Sequence, residues 1–453
     1  MKAMRSSLSL LLVLAVITGW GAVSSAPFRI TVVDAENGWP VPLVQFKTAN
    51  GLVFTSDNAG VVAVDEPDLL GQTVRFSVEG HGYGIGPDIH RPGSVTYGLA
   101  RGGKAVLKIT RNQVAKRLGR IGGTGLFAES RKFGEHLDKK DQGEVGRDSV
   151  QCRPYNGKLF WLWGDTSMQG YAIGIFNTTA AFTPNPAFPL DPKPPVYPPY
   201  DQIRNDEGHV RGVIKAQGEG PIWIFGLIDL KDKAGKDHLG GAWSQIRNSL
   251  EAYKNGLCVW NDKTKNFDVI QTLMDKEKGI MPEFFPDPNA VHWTDPKGKK
   301  WLLYGFPFPH HRIPDSYEAW CDPTTWEKID WNGKEKIARY KDGKKFEAVG
   351  GQMMWNAKIK KWVGICMQKW NLGALCYIEA DSPFGPWENG QQIVFHHNYT
   401  IYNPIIHVEY GPDTPYLVFE GTYTDAFINQ PNPTPRYNYT QMLFRLDLKD
   451  VHK

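Results

Sequence analysis

Two aspartates, Asp148 and Asp165, lie at the outer ends of two apolar segments joined by Asn156-Gly157. Asn-Gly between apolar runs predicts a β-hairpin with a type I′ turn, because that turn requires positive φ at both central residues. Counting outward from a two-residue turn places Asp148 opposite Asp165, with Cβ atoms about 4.5–5.5 Å apart. Paired carboxylates repel one another in a sheet, whereas acid–base chemistry uses them. We therefore expect Asp148 to be a catalytic base or nucleophile and Asp165 its partner.

An alternative gives both aspartates a structural role, with Asp165 capping the hairpin end and Asp148 paired to Arg147 or Arg153. Pro154 falls at a non-hydrogen-bonded position of the predicted hairpin and requires that the other edge of its strand be unpaired. The first strand is thus predicted to be an edge strand, as the innermost strand of a propeller blade is. That position would direct Asp148 toward a central channel.

Glu420 follows the apolar run 416–419, which predicts a carboxyl at a strand end in partly apolar surroundings. Burial there would raise its pKa toward that of a general acid, while the structural alternative is a solvated strand end. Glu219, between two glycines, is the competing acid, although such glycines also mark an ordinary turn. Further polar and aromatic candidates for substrate contact are Trp163, Tyr402, Asn403, His407, Arg436 and Tyr437.

The chain as a whole predicts an all-β protein, with an N-terminal β-sandwich over residues 27–112 and a five-bladed β-propeller over residues 118–450. Turn residues separate short strands throughout the first segment. In the second, strand clusters start near residues 148, 211, 289, 351 and 402, each with an aromatic-rich segment predicted to be its central strand: 160–163, 222–225, 301–304, 362–365 and 416–419. A large multi-sheet sandwich is the alternative. Partial helical spacing over residues 242–250 predicts a short helix.

The segment Asp381-Ser-Pro-Phe-Gly-Pro-Trp387 resembles the turn that connects blades in five-bladed propeller glycosidases of the arabinanase and β-xylosidase type. That turn implies fold and family rather than catalysis. The spacing of Asp148 and the Gly-Asp-Thr residue Asp165 more remotely resembles that of two aspartates in propeller endo-arabinanases, which implies that they form the catalytic pair; no motif places the third carboxylate of those enzymes. Gly-x-Asp-Ser-Val, Trp-Gly-Asp-Thr and Phe-Glu-Gly-Thr-Tyr also resemble motifs of a group of uncharacterised secreted bacterial proteins. Segments 38–44, 55–60 and 80–83 resemble transthyretin-like modules, which are usually accessory.

Residues 1–26 have the pattern of a secretion signal, in which Lys2 and Arg5 precede an apolar segment and small residues follow it. An uncleaved anchor is the alternative, although the apolar run is short for a membrane span. Removing Lys2 and Arg5 from the 52 basic residues leaves 50 against 48 acidic ones. This balance argues against nucleic acid or an anionic membrane as partner. We expect a secreted or periplasmic monomer.

The five cysteines are odd in number and contain no Cys-x-x-Cys spacing, which argues against a zinc site or a dense disulfide framework. We expect no metal and no other cofactor. Cys366 and Cys376 lie on consecutive predicted strands and could pair, although buried free cysteine is common. The 16 tryptophans and 18 tyrosines are available either for the sheet core or for stacking on sugar rings.

These features together predict an exported glycoside hydrolase that acts on a polysaccharide or oligosaccharide, with Glu420 or Glu219 as the acid. A non-catalytic carbohydrate-binding or surface-interaction propeller is a second hypothesis. A third is a polysaccharide lyase, in which Tyr437 or His407 would be the base and Arg436 would bind the uronate.

Overall fold

A computed structural model describes residues 26–86, 93–168, 177–216, 218–248, 250–286, 288–331, 336–369, 371–396, 399–425, 436 and 438–452. The predicted secretion signal therefore lies outside the described residues, apart from Ala26. Strands dominate, and the described helices are single turns. None of these helices has the length and apolar character needed to cross a membrane.

Eight N-terminal strands form one sheet in the order β3-β2-β5-β6-β8-β1-β4, with β7 paired to β5. The pairing of β6 with β8 joins two halves of this sheet, and both halves contribute to one hydrophobic core that contains Ile30, Phe46 and Phe76. The strands β6 and β7 were not predicted. The bounds are β1 (Phe28–Asp34), β2 (Val44–Lys47), β3 (Val53–Thr55), β4 (Val61–Val64), β5 (Thr73–Gly80), β6 (Tyr83–Gly84), β7 (Gly93–Gly98) and β8 (Lys104–Arg111).

The remaining strands belong to smaller sheets, and three short α-helices accompany them. The strands are β9 (Lys116–Arg120), β10 (Glu144–Arg147), β11 (Gln151–Tyr155), β12 (Lys158–Trp163), β13 (Thr166–Met168), β14 (Thr179–Pro184), β15 (Asp201–Gln202), β16 (Ile222–Lys231), β17 (Asp237–Arg247), β18 (Glu251–Asn261), β19 (Asn266–Asp275), β20 (Val291–Thr294), β21 (Lys300–Tyr304), β22 (His311–Pro314), β23 (Glu327–Lys328), β24 (Ala338–Tyr340), β25 (Lys345–Phe346), β26 (Ala348–Asn356), β27 (Lys361–Gln368), β28 (Asn371–Ala380), β29 (Trp387–Phe395), β30 (Thr400–Ile406), β31 (Tyr416–Thr424) and β32 (Thr440–Asp447). The helices are α1 (Ala128–Arg131), α2 (Tyr317–Trp320) and α3 (Leu448–Val451), and single 3₁₀ turns cover Lys276–Lys278, Pro323–Thr325 and Val408–Tyr410.

Five of these sheets form the blades of a propeller. Blade 1 is β11-β12-β14-β15, blade 2 is β16-β17-β18-β19, and blade 3 is β20-β21-β22-β23. Blade 4 is β26-β27-β28-β29, extended by β24 and β25, and blade 5 is β30-β31-β32 completed by the early strand β9. The prediction of an all-β chain with a five-bladed propeller is confirmed.

Hydrogen bonds at each seam join one blade to the next and close the ring. They run from Gln151 Nε2 to Ile224 O (3.1 Å), between His292 Nε2 and Asp229 Oδ1 (3.2 Å), from Asn289 Nδ2 to Gly351 O (2.9 Å), from Ile406 N to Gln352 Oε1 (2.7 Å), and from Ser149 N to Thr422 Oγ1 (3.1 Å).

The hairpin of blade 1 has the predicted register. Tyr155 pairs with Lys158, and the backbone amide of Asp148 donates to the carbonyl of Asp165 at 3.3 Å, so the two aspartates are neighbours across the hairpin end. Asn156 has φ 48° and Gly157 has φ 74°, as the predicted turn requires. The strand β11 pairs with β12 alone and is the edge strand that Pro154 predicts.

Two local predictions were wrong. Residues 222–225 were expected in a central strand, but β16 is the edge strand of blade 2. Residues 242–250 were expected to form a helix, but they continue β17 as far as Arg247. The strand β17 is buried on both faces over most of its length, so its apolar residues do not alternate and the period of two is lost. In β16 the apolar run 222–225 includes side chains that are only partly buried, so an apolar run did not identify a central strand.

All five cysteines are free thiols. Cys366 and Cys376 face one another across β27 and β28, where the Sγ of Cys366 contacts the carbonyl oxygen of Cys376 at 3.6 Å. The possible disulfide is therefore not formed, and both side chains pack as small apolar groups in the core of blade 4.

Candidate functional site

A cavity of about 500 Å³ opens where the inner ends of the blades meet. Asp148 and Asp165 both line it. Its wall consists of residues 148–151, 164 and 165 of blade 1, residues 223–225 and Leu250 of blade 2, residues 288 and 289 at the start of blade 3, and Asn403 and Tyr439 of blade 5. The hairpin end is thus part of a concave site, as expected for a site that works with both carboxylates.

Asp148 is the more enclosed member of the pair. Burial raises the pKa of its carboxyl, and hydrogen bonds from the hydroxyls of Tyr439 and Tyr402 oppose that rise by favouring the carboxylate. The hydroxyl of Tyr402 donates to Oδ2 at 2.8 Å. On the opposite strand, a Cβ placed on Gly164 would overlap Oδ1 of Asp148. A glycine at position 164 therefore makes the space in which this carboxylate lies.

Asp165 is half-buried and has a different environment. Burial and then the nearby charge of Asp148 raise its pKa to about 6, while the indole of Trp223 opposes the rise by donating to Oδ1 at 2.9 Å. Two adjacent carboxyls therefore have different donors and different access to solvent. Such a difference separates acid and base roles within one site.

The rest of the described cavity wall is aromatic and neutral. Trp223, Phe225 and Tyr439 present rings to the cavity, and the described lining contains no lysine, arginine or histidine. Asn403 donates from Nδ2 to Ser149 Oγ at 2.9 Å, which joins blade 5 to blade 1 beside Asp148. Rings with a few polar groups suit a sugar, because its axial face is apolar and its rim carries hydroxyls.

Glu420 does not line the cavity, contrary to its predicted role as the acid. The strand β31 does not end at Phe419 but continues to Thr424, so Glu420 lies in its middle with a side chain 0% exposed. Its Oε1 accepts a hydrogen bond from Nε2 of His407 at 3.1 Å. A carboxyl sealed in this way has no path to a leaving group in the described cavity.

The competing acid, Glu219, is also outside the cavity. Its side chain is exposed, and its backbone carbonyl accepts a hydrogen bond from the hydroxyl of Tyr253 at 2.8 Å. Trp163 and His407 belong to the core rather than to the cavity wall: Trp163 stacks on Trp161 with ring centroids 6.0 Å apart.

The remaining described candidates for substrate contact, Asn403, Tyr402 and Arg436, differ in their position relative to the cavity. Asn403 lines the cavity, and Tyr402 supports Asp148 from behind. Arg436 is absent from the described lining and donates to Glu129 Oε1 at 2.8 Å, while Oε2 of Glu129 accepts from the amide of Ala63 at 3.3 Å. It therefore braces the chain against the N-terminal sheet. Tyr437 lies outside the described residues.

Sequence reasoning missed several cavity residues, above all Trp223 and Tyr439. Trp223 was expected in a central strand with the rest of residues 222–225, but it lies in an edge strand and part of its ring is exposed. Tyr439 has φ 62°, and its carbonyl accepts from the amide of Arg147, which directs the chain back over Asp148. In the sequence, Tyr439 is marked as a possible site residue by nothing more than its place in a segment rich in aromatic and polar residues.

A second cluster of ionisable groups lies in the core between blades 1 and 5. The Nδ1 of His407 donates to Glu409 Oε1 at 2.8 Å, and Cys152 lies beside them. One ligand atom of each of these three side chains lies within 4.8 Å of the others, so they could hold a metal ion.

Comparisons with known proteins give only distant structural likenesses. No protein-family description matches the sequence, and no curated protein matches it. Among solved structures, the chain is similar to a GH43 β-1,3-galactosidase in complex with galactodeoxynojirimycin (10% identity, TM-score 0.36, covering 68% of this chain and 91% of the other). It is also similar to a GH43_1 enzyme from Xanthomonas citri complexed with xylose (11%, 0.37, 66% and 86%) and to an exo-1,5-α-L-arabinanase from a bovine ruminal metagenomic library (9%, 0.38, 67% and 93%). At these TM-scores the likeness carries no argument about activity.

Proposed function

We propose that this protein hydrolyses glycosidic bonds of a polysaccharide or oligosaccharide bound in the cavity at the propeller mouth. One observation supports the proposal above the others: two carboxyls with different hydrogen-bond donors lie side by side in an aromatic cavity of about 500 Å³. Glycoside hydrolysis needs two carboxyl groups, one protonated and one ionised.

The environments of the two aspartates favour one division of roles. Asp148 accepts from the hydroxyls of Tyr402 and Tyr439, which favours its ionised form, so it is the base or nucleophile. Asp165, with its pKa raised to about 6, is the proton donor. In the bond-breaking step, Asp165 transfers its proton to the glycosidic oxygen. Asp148 either attacks the anomeric carbon or takes a proton from the water that does so.

Trp223 gives the cavity a second function in this proposal. Its indole N–H holds Asp165, and its ring forms part of the wall where a sugar would stack. The same side chain would therefore position the substrate and the acid relative to one another.

The experiment is an assay of reducing ends released from a panel of polysaccharides, with the wild type, Asp148→Asn and Asp165→Asn. We expect cleavage of at least one substrate by the wild type and a loss of about 10³-fold or more in each variant. Asp237→Asn is the matched control, because Asp237 begins β17 of blade 2 and lines a separate pocket with Asn156 and Gly157, at the turn end of the blade 1 hairpin. It should retain full activity.

A non-catalytic carbohydrate-binding protein is the second candidate. Propeller glycosidases have a third carboxylate, and the described cavity residues include no counterpart of it. This difference favours a protein that binds a carbohydrate without cleaving it. Binding of a polysaccharide in affinity electrophoresis, without release of reducing ends by the wild type, would establish this candidate and reject hydrolysis. The described cavity gives no support to a lyase, because neither His407 nor Arg436 lines it, and Tyr437 lies outside the described residues.

We also propose that the chain is exported, that it works as a monomer, and that the N-terminal sheet is an accessory module of the transthyretin-like type. Expression with export should give a mature chain that begins at or shortly before Pro27, measured by intact mass. Sedimentation of that chain should give the mass of one copy. Retention of residues 1–26 would favour the uncleaved anchor.

A further inference from the structure

Three metal-ligating side chains meet in the core at the seam between the first and last blades. Cys152 belongs to β11, the innermost strand of blade 1, and His407 and Glu409 follow β30, the innermost strand of blade 5. Their ligand atoms lie within 4.8 Å of one another. We propose that Cys152, His407 and Glu409 bind a zinc ion that ties blade 1 to blade 5. This inference is independent of the proposed hydrolase activity.

The three donors fit zinc better than they fit a hard cation. Thiolate, imidazole and carboxylate are the ligands of zinc sites, whereas calcium and magnesium take oxygen alone. A tetrahedral zinc would separate a nitrogen and an oxygen ligand by about 3.3 Å. The Nδ1 of His407 and Oε1 of Glu409 are 2.8 Å apart, so they need to open by only about 0.5 Å. The second oxygen of Glu409 can supply a fourth donor atom.

Glu420 occupies the position of an outer partner that metal-bound histidines usually have. Its Oε1 accepts from Nε2 of His407 at 3.1 Å, which leaves Nδ1 as the ligand atom and fixes the ring orientation. Its Oε2 is buried and has no hydrogen-bond partner among the described residues. A buried carboxylate oxygen without a partner costs free energy of folding. A divalent cation on the other side of the imidazole would offset part of that cost by its charge.

The cluster is buried and lies against aromatic rings. The ring of Trp161 lies 5.3 Å from that of His407, and the ring of Phe188 lies 6.3 Å from it. The side chains of His407 and Glu409 are 0% and 3% exposed. Zinc would replace the proton on Nδ1 and the proton of the Cys152 thiol, so binding releases both. A bond network across this seam would reinforce the closure that β9 already provides in blade 5.

The test measures metal in the full chain. Wild type expressed in zinc-supplemented medium and passed through gel filtration should carry one zinc ion per chain. Chain unfolded in chelator and refolded with Co²⁺ should show a sulfur-to-cobalt charge-transfer band in the near ultraviolet. Cys152→Ser should lose the band and most of the metal. Cys258→Ser is the matched control, since Cys258 is also a fully buried thiol, in blade 2, and it should keep both.

Glu409→Gln keeps the Cys152 thiol and the volume of the side chain, so it replaces Cys152→Ser in the test if that variant does not fold. It should lower the amount of bound metal at least 10-fold. The proposal is overturned if wild type with native circular dichroism holds neither zinc nor cobalt. It is also overturned if Cys152→Ser or Glu409→Gln retains the full metal content, because the ion would then lie elsewhere.

Discussion

Asp148 and Asp165 lie at the cavity end of the blade 1 hairpin, while Glu409 and Glu420 lie in the dry core between blades 1 and 5. Both are pairs of acidic side chains beside β11, but their hydrogen-bond donors differ. The aspartates receive neutral donors, two tyrosine hydroxyls and an indole, and keep their mutual repulsion. The glutamates share the imidazole of His407. Neutral donors therefore accompany the pair that opens to the cavity, and an imidazole accompanies the pair in the core.

The balance in the buried pair depends on His407. Burial opposes its charge, but Glu409, together with hydrogen bonds to Cys152, Glu409 and Glu420, holds the pKa of His407 well above its ordinary value. In the metal-free chain, an imidazolium between two carboxylates gives one oxygen of each a charged donor, whereas no cation is among the described residues that line the aspartate cavity.

The largest expected effect comes from His407→Gln, which leaves two buried carboxyls without their shared partner. We expect a loss of about 3–5 kcal/mol in the free energy of unfolding, measured by urea denaturation. His292→Gln is the control: His292 also bridges two carboxylates, Asp229 and Asp315, but is 41% exposed, so its loss should cost about 1 kcal/mol or less. Equal losses in the two variants would contradict the structural role of the buried cluster.

Gly164→Ala tests the aspartate pair without changing either carboxyl. The added methyl group overlaps Oδ1 of Asp148 and must displace it. We expect the rate of cleavage to fall about 100-fold, because small misplacements of a catalytic group have effects of that size. Gly98→Ala is the matched control, since a Cβ at Gly98 meets open space in the N-terminal sheet.

Unchanged cleavage by Gly164→Ala would show that Asp148 tolerates displacement and is not a reacting group. A crystal structure of the variant would report the position of Asp148 directly.

The sequence predicted the aspartate pair and failed on Glu420 for physical reasons. Local rules governed the first: an Asn-Gly turn fixes register, and register fixes which residues face each other. The position of Glu420 depended on whether β31 ended at Phe419, and strand ends are not visible when every residue is buried. The contacts of Cys152 with His407 join the first blade to the last, so no spacing along the chain reveals them.

The same contrast appears among aromatic residues. Trp163 and Trp223 both lie in apolar strands next to turn residues, and the sequence offered no means to separate them. Trp163 is in the second strand of its blade and is fully buried, whereas Trp223 is in an edge strand and reaches the cavity. Their roles followed from blade order, which is a tertiary property.

Trp223→Phe removes the indole donor of Asp165 and tests what that donor does to the acidity of the carboxyl. The indole stabilises the carboxylate, so its removal should raise the pKa of Asp165 above about 6. A hydrogen bond to a charged group corresponds to about one pH unit. We expect the alkaline limb of the pH–rate profile to move upward by that amount.

Trp355→Phe, a replacement at a partly exposed tryptophan of blade 4, should leave the profile in place. A limb that stays fixed or moves downward in Trp223→Phe would remove Asp165 from the role of acid.

The smallest expected effect is on the free energy of unfolding, which the repulsion between Asp148 and Asp165 lowers. The pKa of Asp165 is raised to about 6 in the folded chain from about 3.9 in the unfolded chain. Its stabilising contribution is therefore complete below pH 4 and is lost as pH rises through 6. Asp165→Asn removes this loss, so the variant should be more stable than wild type at pH 7, by about 1 kcal/mol after solvent screening.

The comparison needs urea unfolding of both proteins at pH 4, 5, 6 and 7. The difference between them should be small at pH 4 and should grow toward pH 7, because only the wild type ionises a repelled carboxyl. A variant that is less stable at every pH would mean that Asp165 holds the hairpin end together, which is the structural alternative. If Asp165→Asn is instead more stable than wild type and no longer cleaves, Asp165 lowers the stability of the fold and is needed for activity.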